Sequence, residues 1–248
     1  MVGVDHLPFP VSYTPLRLPP GIAIVHDSIS LEEEEGIVAA IDAEGKWDDT
    51  LKRRRVVHYG LEFDYSLRRA VATSSVGSIP PWCHHFISRA ILDRHFQFYP
   101  DQITVNEYSP GNGIPPHVDT HSAFENLIAS LSLLSDTVMS FTHRGGDRVD
   151  VLLPRRSLLL MKDEGRYDWE HSIADRKTDV VDSVTVHRGR RVSVTFRKVR
   201  GEGLQCDCSF PSLCDTKALL APPHQYSHKQ LVKIGAVPKA RETREVPP

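Results

Sequence analysis

His117-Val118-Asp119 places two metal-ligating side chains two residues apart, and His171, in Tyr167-Asp168-Trp169-Glu170-His171, supplies a third donor further along the chain. In extended chain, residues i and i+2 project to the same side, so His117 and Asp119 reach one ion without strain. Two imidazoles and one carboxylate form the donor set of a mononuclear non-haem iron(II) centre. Such a set occupies one face of the metal and leaves the others open for a co-substrate and dioxygen. Thirteen histidines in 248 residues make an isolated H-x-D triplet an ordinary event. The triplet gains weight from two polar constellations that flank it.

Upstream, Asn106-Glu107-Tyr108 closes the apolar stretch Ile103-Thr104-Val105, and alternation puts Asn106 and Tyr108 on one strand face. Downstream, Val192, Val194 and Phe196 form one side of a strand whose other side is Arg191, Ser193, Thr195 and Arg197. An ordinary half-buried strand with its polar side in water accounts for that pattern. If the polar side instead faces the inside of a barrel, two guanidiniums there are costly unless an anion meets them. A dicarboxylate beside iron(II) does so, because arginine grips carboxylates through paired, charge-assisted hydrogen bonds.

The ordered set N-x-Y, H-x-D, a later H and R-x-S-x-T-F-R resembles the AlkB family of iron(II)/2-oxoglutarate dioxygenases. Segments 106–125, 153–158 and 193–200 are similar to the oxygenase domain of the AlkB homologue eight branch, which acts on the wobble uridine of tRNA. The resemblance runs from about residue 22 to 216. It implies that His117, Asp119 and His171 hold iron, that Asn106 and Tyr108 hydrogen-bond 2-oxoglutarate, and that Arg191 pairs with its distal carboxylate. Ser193 stands where many members have asparagine, and Arg197 belongs near the chelating end of the co-substrate. Hydroxylation of a modified wobble uridine, of the carboxymethyl-ester type, is the leading expectation. Oxidative N-demethylation of RNA or DNA, hydroxylation of a protein or lipid, and a non-catalytic RNA-binding module that keeps the metal scaffold are the alternatives.

The elements that must position these groups follow a coarse pattern. Residues 1–21 are proline-rich and irregular; 22–200 form the dioxygenase domain; 201–221 form a cysteine-rich extension; 222–248 read as a flexible tail. A strand over 22–25 precedes a helix over 31–41 capped by Ser28 or Ser30, whose glutamates complement the helix dipole. A second helix spans about 81–96, with Trp82, Phe86, Ile87, Ala90 and Ile91 on its apolar side. Short strands follow at 103–109, 127–134, 137–142, 149–153, 157–162, 169–173, 182–187 and 190–199. This mainly β pattern with flanking helices predicts a double-stranded β-helix, or jelly roll. No Rossmann or P-loop fingerprint is present, and Gly111-Asn112-Gly113 reads as a turn.

Cys206, Cys208 and Cys214 cluster directly after the last strand, while Cys83 lies in a helix. Three gathered thiols fit structural zinc better than a redox pair, with metal-free reduced thiols as the plain alternative. The related branch has a histidine ligand at His121, which makes that residue the expected fourth ligand; His224 and His228 are the substitutes. Strict alternation would turn His121 toward the iron, so the chain is expected to turn after Asp119.

Leu51-Lys52-Arg53-Arg54-Arg55, followed by Tyr59, mixes cations with an aromatic, as a nucleotide-handling lid does. An edge strand guarded by Lys and Arg reads equally well. Arg155 and Arg156 either face the substrate or stabilise a buried carboxylate. Trp169 is expected to pack near the iron, with Asp168 and Glu170 pointing away. The formal charge is −2, from 30 basic and 32 acidic residues, so nucleic-acid binding must rest on a local patch. Hydrophobic content of 40% is enough for one sizeable core. No signal peptide or membrane-crossing run is apparent, which points to a monomeric protein of the cytoplasm, with the nucleus as a second compartment. The glycine pattern of a methyltransferase is missing, so oxygenase activity alone is expected, with a separate methyltransferase as a partner beside tRNA.

Overall fold

Ser30 opens the first helix with a capping box: its hydroxyl accepts from the Glu33 amide, and the Glu33 carboxylate accepts from the Ser30 amide. The computed structural model describes residues 18–64, 69–71, 77–201 and 206–218. His224, His228 and the 222–248 tail lie outside the described residues. After β1 (Ile22–Val25), α1 (Leu31–Glu44) runs to Gly45, which ends it at φ 60°. Glu34 does more than complement the helix dipole. It is fully buried and accepts from the Leu134 amide at 2.7 Å and from the Arg155 guanidinium.

Next come β2 (Arg55–Gly60), β3 (Glu62–Asp64) and β4 (Arg69–Val71), and then α2 (Pro81–Leu92), with proline in its first turn where no N–H is needed. The helix stops short of the expected residue 96 because Arg94 turns at φ 61°. Phe96 instead packs edge-on against Phe86, 6.2 Å between ring centres.

The barrel comprises β5 (Gln102–Tyr108), β6 (Ile114–His117), β7 (Phe124–Leu133), β8 (Thr137–His143), β9 (Arg148–Leu153) and β10 (Leu158–Met161). The one-turn α3 (Asp163–Tyr167) leads to β11 (Trp169–Ile173), β12 (Thr178–Val181), β13 (Val184–His187), β14 (Arg191–Val199) and the short α4 (Asp215–Ala218). One sheet has the order β1-β10-β7-β14-β5-β2 and the other β6-β11-β8-β9, with antiparallel pairing throughout. Two such sheets face to face are the expected jelly roll.

Alternation decides what each face buries. Leu131 and Leu133 of β7, with Val192, Val194 and Phe196 of β14, pack against α1 and α2. Residues of opposite parity, such as Ile128, Ser130 and Ser132, turn between the sheets. One strand expectation needs correction, and one strand was not anticipated. The strand expected at 182–187 is the turn and second half of a hairpin, because Asp182 and Ser183 adopt φ 48° and 67°. Ile114-Pro115-Pro116-His117 is a strand despite its prolines, since it pairs only with β11 at a sheet edge. Among the described residues, no helix is long and apolar enough to cross a membrane.

Candidate active site

Cross-strand register builds the metal-ligating cluster. His117 of β6 lies directly opposite His171 of β11, with ring centres 4.2 Å apart, and Asp119 follows in the turn that leaves β6. The donor atoms of His117, Asp119 and His171 lie within 4.8 Å of one another. His117 Nδ1 donates to the Pro115 carbonyl at 2.8 Å, which leaves Nε2 as a bare lone pair for a metal. Burial, reinforced by the neighbouring His117, pushes His171 down to about 3, so its imidazole is neutral at neutral pH. Burial alone would raise Asp119. The Arg197 guanidinium, followed by His171 and Arg166, outweighs it and holds the carboxyl well below the usual carboxylate range.

The β14–β5 register assembles the second half of the site. Arg191 faces Tyr108, Ser193 faces Asn106, Thr195 faces Thr104 and Arg197 faces Gln102. Their polar sides line a cavity of about 270 Å³ that also contains His117, Asp119 and His171. Arg197 Nε donates to Asp119 Oδ2 at 3.0 Å, while its Nη1 donates to Gln102 Oε1 and Thr104 Oγ1, each at 3.1 Å. The plain reading of a polar face turned to water is therefore set aside. Gln102 and Thr104 went unnoticed in the sequence, although stepping the Asn106/Tyr108 alternation backwards reaches both.

Arg191 is 5% exposed, and its Nη2 donates to Ser132 Oγ at 2.9 Å. Its Nε has no partner, and among the described residues no carboxylate pairs with it. Burial lowers its pKa to about 10, so it is charged at neutral pH. A buried guanidinium lacking a counter-ion, beside a three-donor metal cluster, fits a bound carboxylate.

A family model described as the 2OG-Fe(II) oxygenase superfamily matches residues 24–197. The chain belongs to this superfamily. Membership implies iron(II), 2-oxoglutarate and dioxygen. The oxygenase is 42% identical over 231 residues to the macaque (Macaca fascicularis) protein named tRNA (carboxymethyluridine(34)-5-O)-methyltransferase ALKBH8. That match covers 84% of this chain and 34% of the relative, so the chain spans about a third of the macaque protein's length. It is 37% identical to the Arabidopsis thaliana protein named alkylated DNA repair protein ALKBH8 homolog, covering 80% of this chain and 63% of that one. The solved structure titled "The structure of OsALKBH1" superposes with a TM-score of 0.56 at 16% identity, over 73% of this chain and 100% of that one, which shows a shared fold.

The basic residues of the oxygenase divide by partner. Arg54 lines the cavity, whereas Arg53 pairs with Asp175 and Arg55 Nε donates to Glu107 Oε2 at 2.5 Å. Tyr59 does not belong to a lid. It is 2% exposed, its hydroxyl donates to Glu44 Oε2 at 2.8 Å, and it meets Trp82 edge-on. Alternation along β2, paired to β5, turns it into the core. Arg155 and Arg156 do not line the cavity either: Arg155 holds the buried Glu34, and Arg156 donates to Asp27 Oδ1 at 2.9 Å. Trp169 is buried, donates Nε1 to Glu164 Oε1 at 3.0 Å and packs tilted against His143, which meets Asp168 Oδ2 at 3.0 Å.

The chain turns after Asp119 and buries His121 beside three thiols. Donor atoms of His121, Cys206, Cys208 and Cys214 lie within 4.8 Å of one another, with Cys208 Sγ 3.5 Å from His121 Nδ1. Hydrogen bonding from Cys206, His121 and Thr216 holds the Cys214 thiol below its usual value. Arg166, which belongs to no motif, sits between this cluster and the triad. It donates to the Asp119 and Thr120 carbonyls at 2.6 and 3.0 Å.

Proposed function

We propose that this chain is an iron(II)- and 2-oxoglutarate-dependent dioxygenase that hydroxylates a modified wobble uridine of tRNA. The observation that carries the reading is a two-imidazole, one-carboxylate cluster in the same cavity as a buried, unpaired guanidinium. His117 Nε2, Asp119 and His171 would hold iron, whose chemistry with 2-oxoglutarate and dioxygen is oxidative decarboxylation coupled to C–H hydroxylation. Arg191, supported by Ser132 and stacked 5.6 Å from the Tyr108 ring centre, would bind the distal carboxylate. Asn106 and Ser193, buried and facing each other across the strands, would orient the co-substrate. Arg197 keeps Asp119 ionised and aimed, and the two-sheet core excludes water from the cavity floor.

His121, Cys206, Cys208 and Cys214 would hold zinc as a structural clamp, pinning the segment after β14 to the turn that carries Asp119. The substrate class rests on likeness to the macaque protein, which is named as a methyltransferase of carboxymethyluridine 34 of tRNA. A methyltransferase acting on the same nucleoside would be the complementary activity. Purified, iron-loaded protein should release succinate from 2-oxoglutarate, and His117→Ala should abolish that release. Nucleoside mass spectra should show the hydroxylated wobble uridine only in tRNA exposed to the active protein. Succinate release without any change in wobble uridines would remove the substrate assignment and leave the oxygenase.

A further inference from the structure

Three guanidiniums, Arg54, Arg191 and Arg197, line the cavity against one carboxylate, Asp119. Iron(II) and 2-oxoglutarate would add equal and opposite charge, so the positive excess survives their binding. Arg197 is matched by Asp119, and Arg191 by the distal carboxylate under the reading above. Arg54 is left over. It is partly exposed, whereas Arg191, Ser193 and Thr195 are buried, so it stands at the open end of the cavity. Its Nε is sealed from solvent with no partner, and among the described residues no carboxylate pairs with it.

The segment that carries Arg54 is held in place. Arg53 pairs with Asp175, in the loop after β11, and Arg55 pairs with Glu107 on β5. Both anchors adjoin the site: Asp175 follows β11, which contributes His171, and Glu107 lies on β5, which contributes Asn106 and Tyr108. Arg54 is also close enough for its charge to act on the Tyr108 hydroxyl. A desolvated N–H with no acceptor is unfavourable, and a guanidinium presents its donors in a fork suited to paired oxygens.

We propose that Arg54 binds an anionic oxygen of the substrate, a phosphate or a carboxylate, at the open end of the cavity and so positions the reacting nucleotide over the metal. This rests on the nucleotide reading above. Of the three consecutive arginines, Arg54 alone is free to do so: its neighbours fasten the segment and it reads the substrate.

The test uses iron-loaded full-length protein and an anticodon stem-loop RNA carrying a 5-carboxymethyl ester on the wobble uridine, with turnover read by nucleoside mass spectrometry at several salt concentrations. Arg54→Gln should raise the KM for RNA about tenfold and reduce the slope of log KM against log salt by about one. Arg54→Lys should keep that slope, and Arg53→Gln should change KM less than Arg54→Gln does. Two further RNAs identify the anion. If a neutral methylphosphonate beside the wobble uridine erases the difference between wild type and Arg54→Gln, the group is a phosphate. If the difference appears only with the free carboxymethyl substituent, it is a carboxylate. Arg54→Gln matching wild type on all three RNAs, or raising the KM for 2-oxoglutarate as much as that for RNA, would overturn the proposal. Wild-type protein that releases succinate but modifies none of the RNAs would remove the nucleotide reading itself, an outcome seen before any variant is compared.

Discussion

Replacing Arg191 with methionine should make the ligand-free protein more stable and the enzyme far less able to bind 2-oxoglutarate. The opposite signs come from one fact: among the described residues, the buried guanidinium has one hydroxyl partner and no carboxylate. Burial lowers its pKa to about 10, so the folded state disfavours the charged form by roughly 3 kcal/mol at neutral pH. That cost is present at every pH below the folded value, where the group is protonated, and is relieved only above it. Losing the bond to Ser132 offsets about 1 kcal/mol of the gain. A net increase of about 2 kcal/mol should raise Tm by roughly 4–8 °C for a domain of this size. Methionine fills much of the same volume without the charge. Against this, a distal carboxylate loses two charge-assisted bonds, about 3–4 kcal/mol together, so the KM for 2-oxoglutarate should rise roughly 100- to 1000-fold. Thermal melts with and without 2-oxoglutarate, alongside succinate release, read both effects. Added 2-oxoglutarate should stabilise the wild type and not the variant. An Arg191→Met protein that melts lower than wild type without ligand would refute the reasoning, because the arginine would then already have its counter-ion within the fold.

Three other perturbations follow from the same contacts. Asp179 is fully buried, accepts from Arg188 and Arg176, and takes the Val138 amide at 3.1 Å. Burial pushes its carboxyl up, but the Arg188 hydrogen bonds outweigh it and the net shift is down, so its stabilisation is present above pH 4 and lost as pH falls through the lowered value. Asp179→Asn should cost about 3–5 kcal/mol in urea melts at pH 7, with the gap to wild type narrowing below pH 4. Tyr59→Phe should cost about 1 kcal/mol through the lost bond to Glu44 and leave the KM for RNA unchanged, whereas a raised KM would restore the lid reading. If the thiol cluster holds zinc as proposed, removing that metal with a chelator should lower Tm and weaken iron(II) binding measured by titration calorimetry, and Cys208→Ser should do the same. His121 is two residues from Asp119, and Ser122 binds Asp215 through both its amide and its hydroxyl. Iron affinity that ignores the thiol cluster would show that the turn holds Asp119 unaided.

How much of this was legible beforehand depended on whether a residue's role is fixed by its own strand. Alternation along 103–108 and 191–197 told which side chains share a face, and the β14–β5 register then set Arg191 against Tyr108 and Ser193 against Asn106. Turn chemistry and caps located most strands and both long helices. What the chain could not announce was pairing between distant charges. Glu34 reads as one more glutamate in an acidic first turn, yet it is the buried partner of Arg155, 121 residues away. Arg166 carries no motif, and its role appears only when β11 brings α3 under the turn after His117. The run Arg53-Arg54-Arg55 makes the same point within three residues: one cation finds Asp175, one finds Glu107, and the one between them finds no carboxylate among the described residues. Composition weighs those three equally. Burial and partner geometry separate them, and an unmet desolvated donor at the end of a cavity is a stronger pointer to a ligand than any count of basic residues.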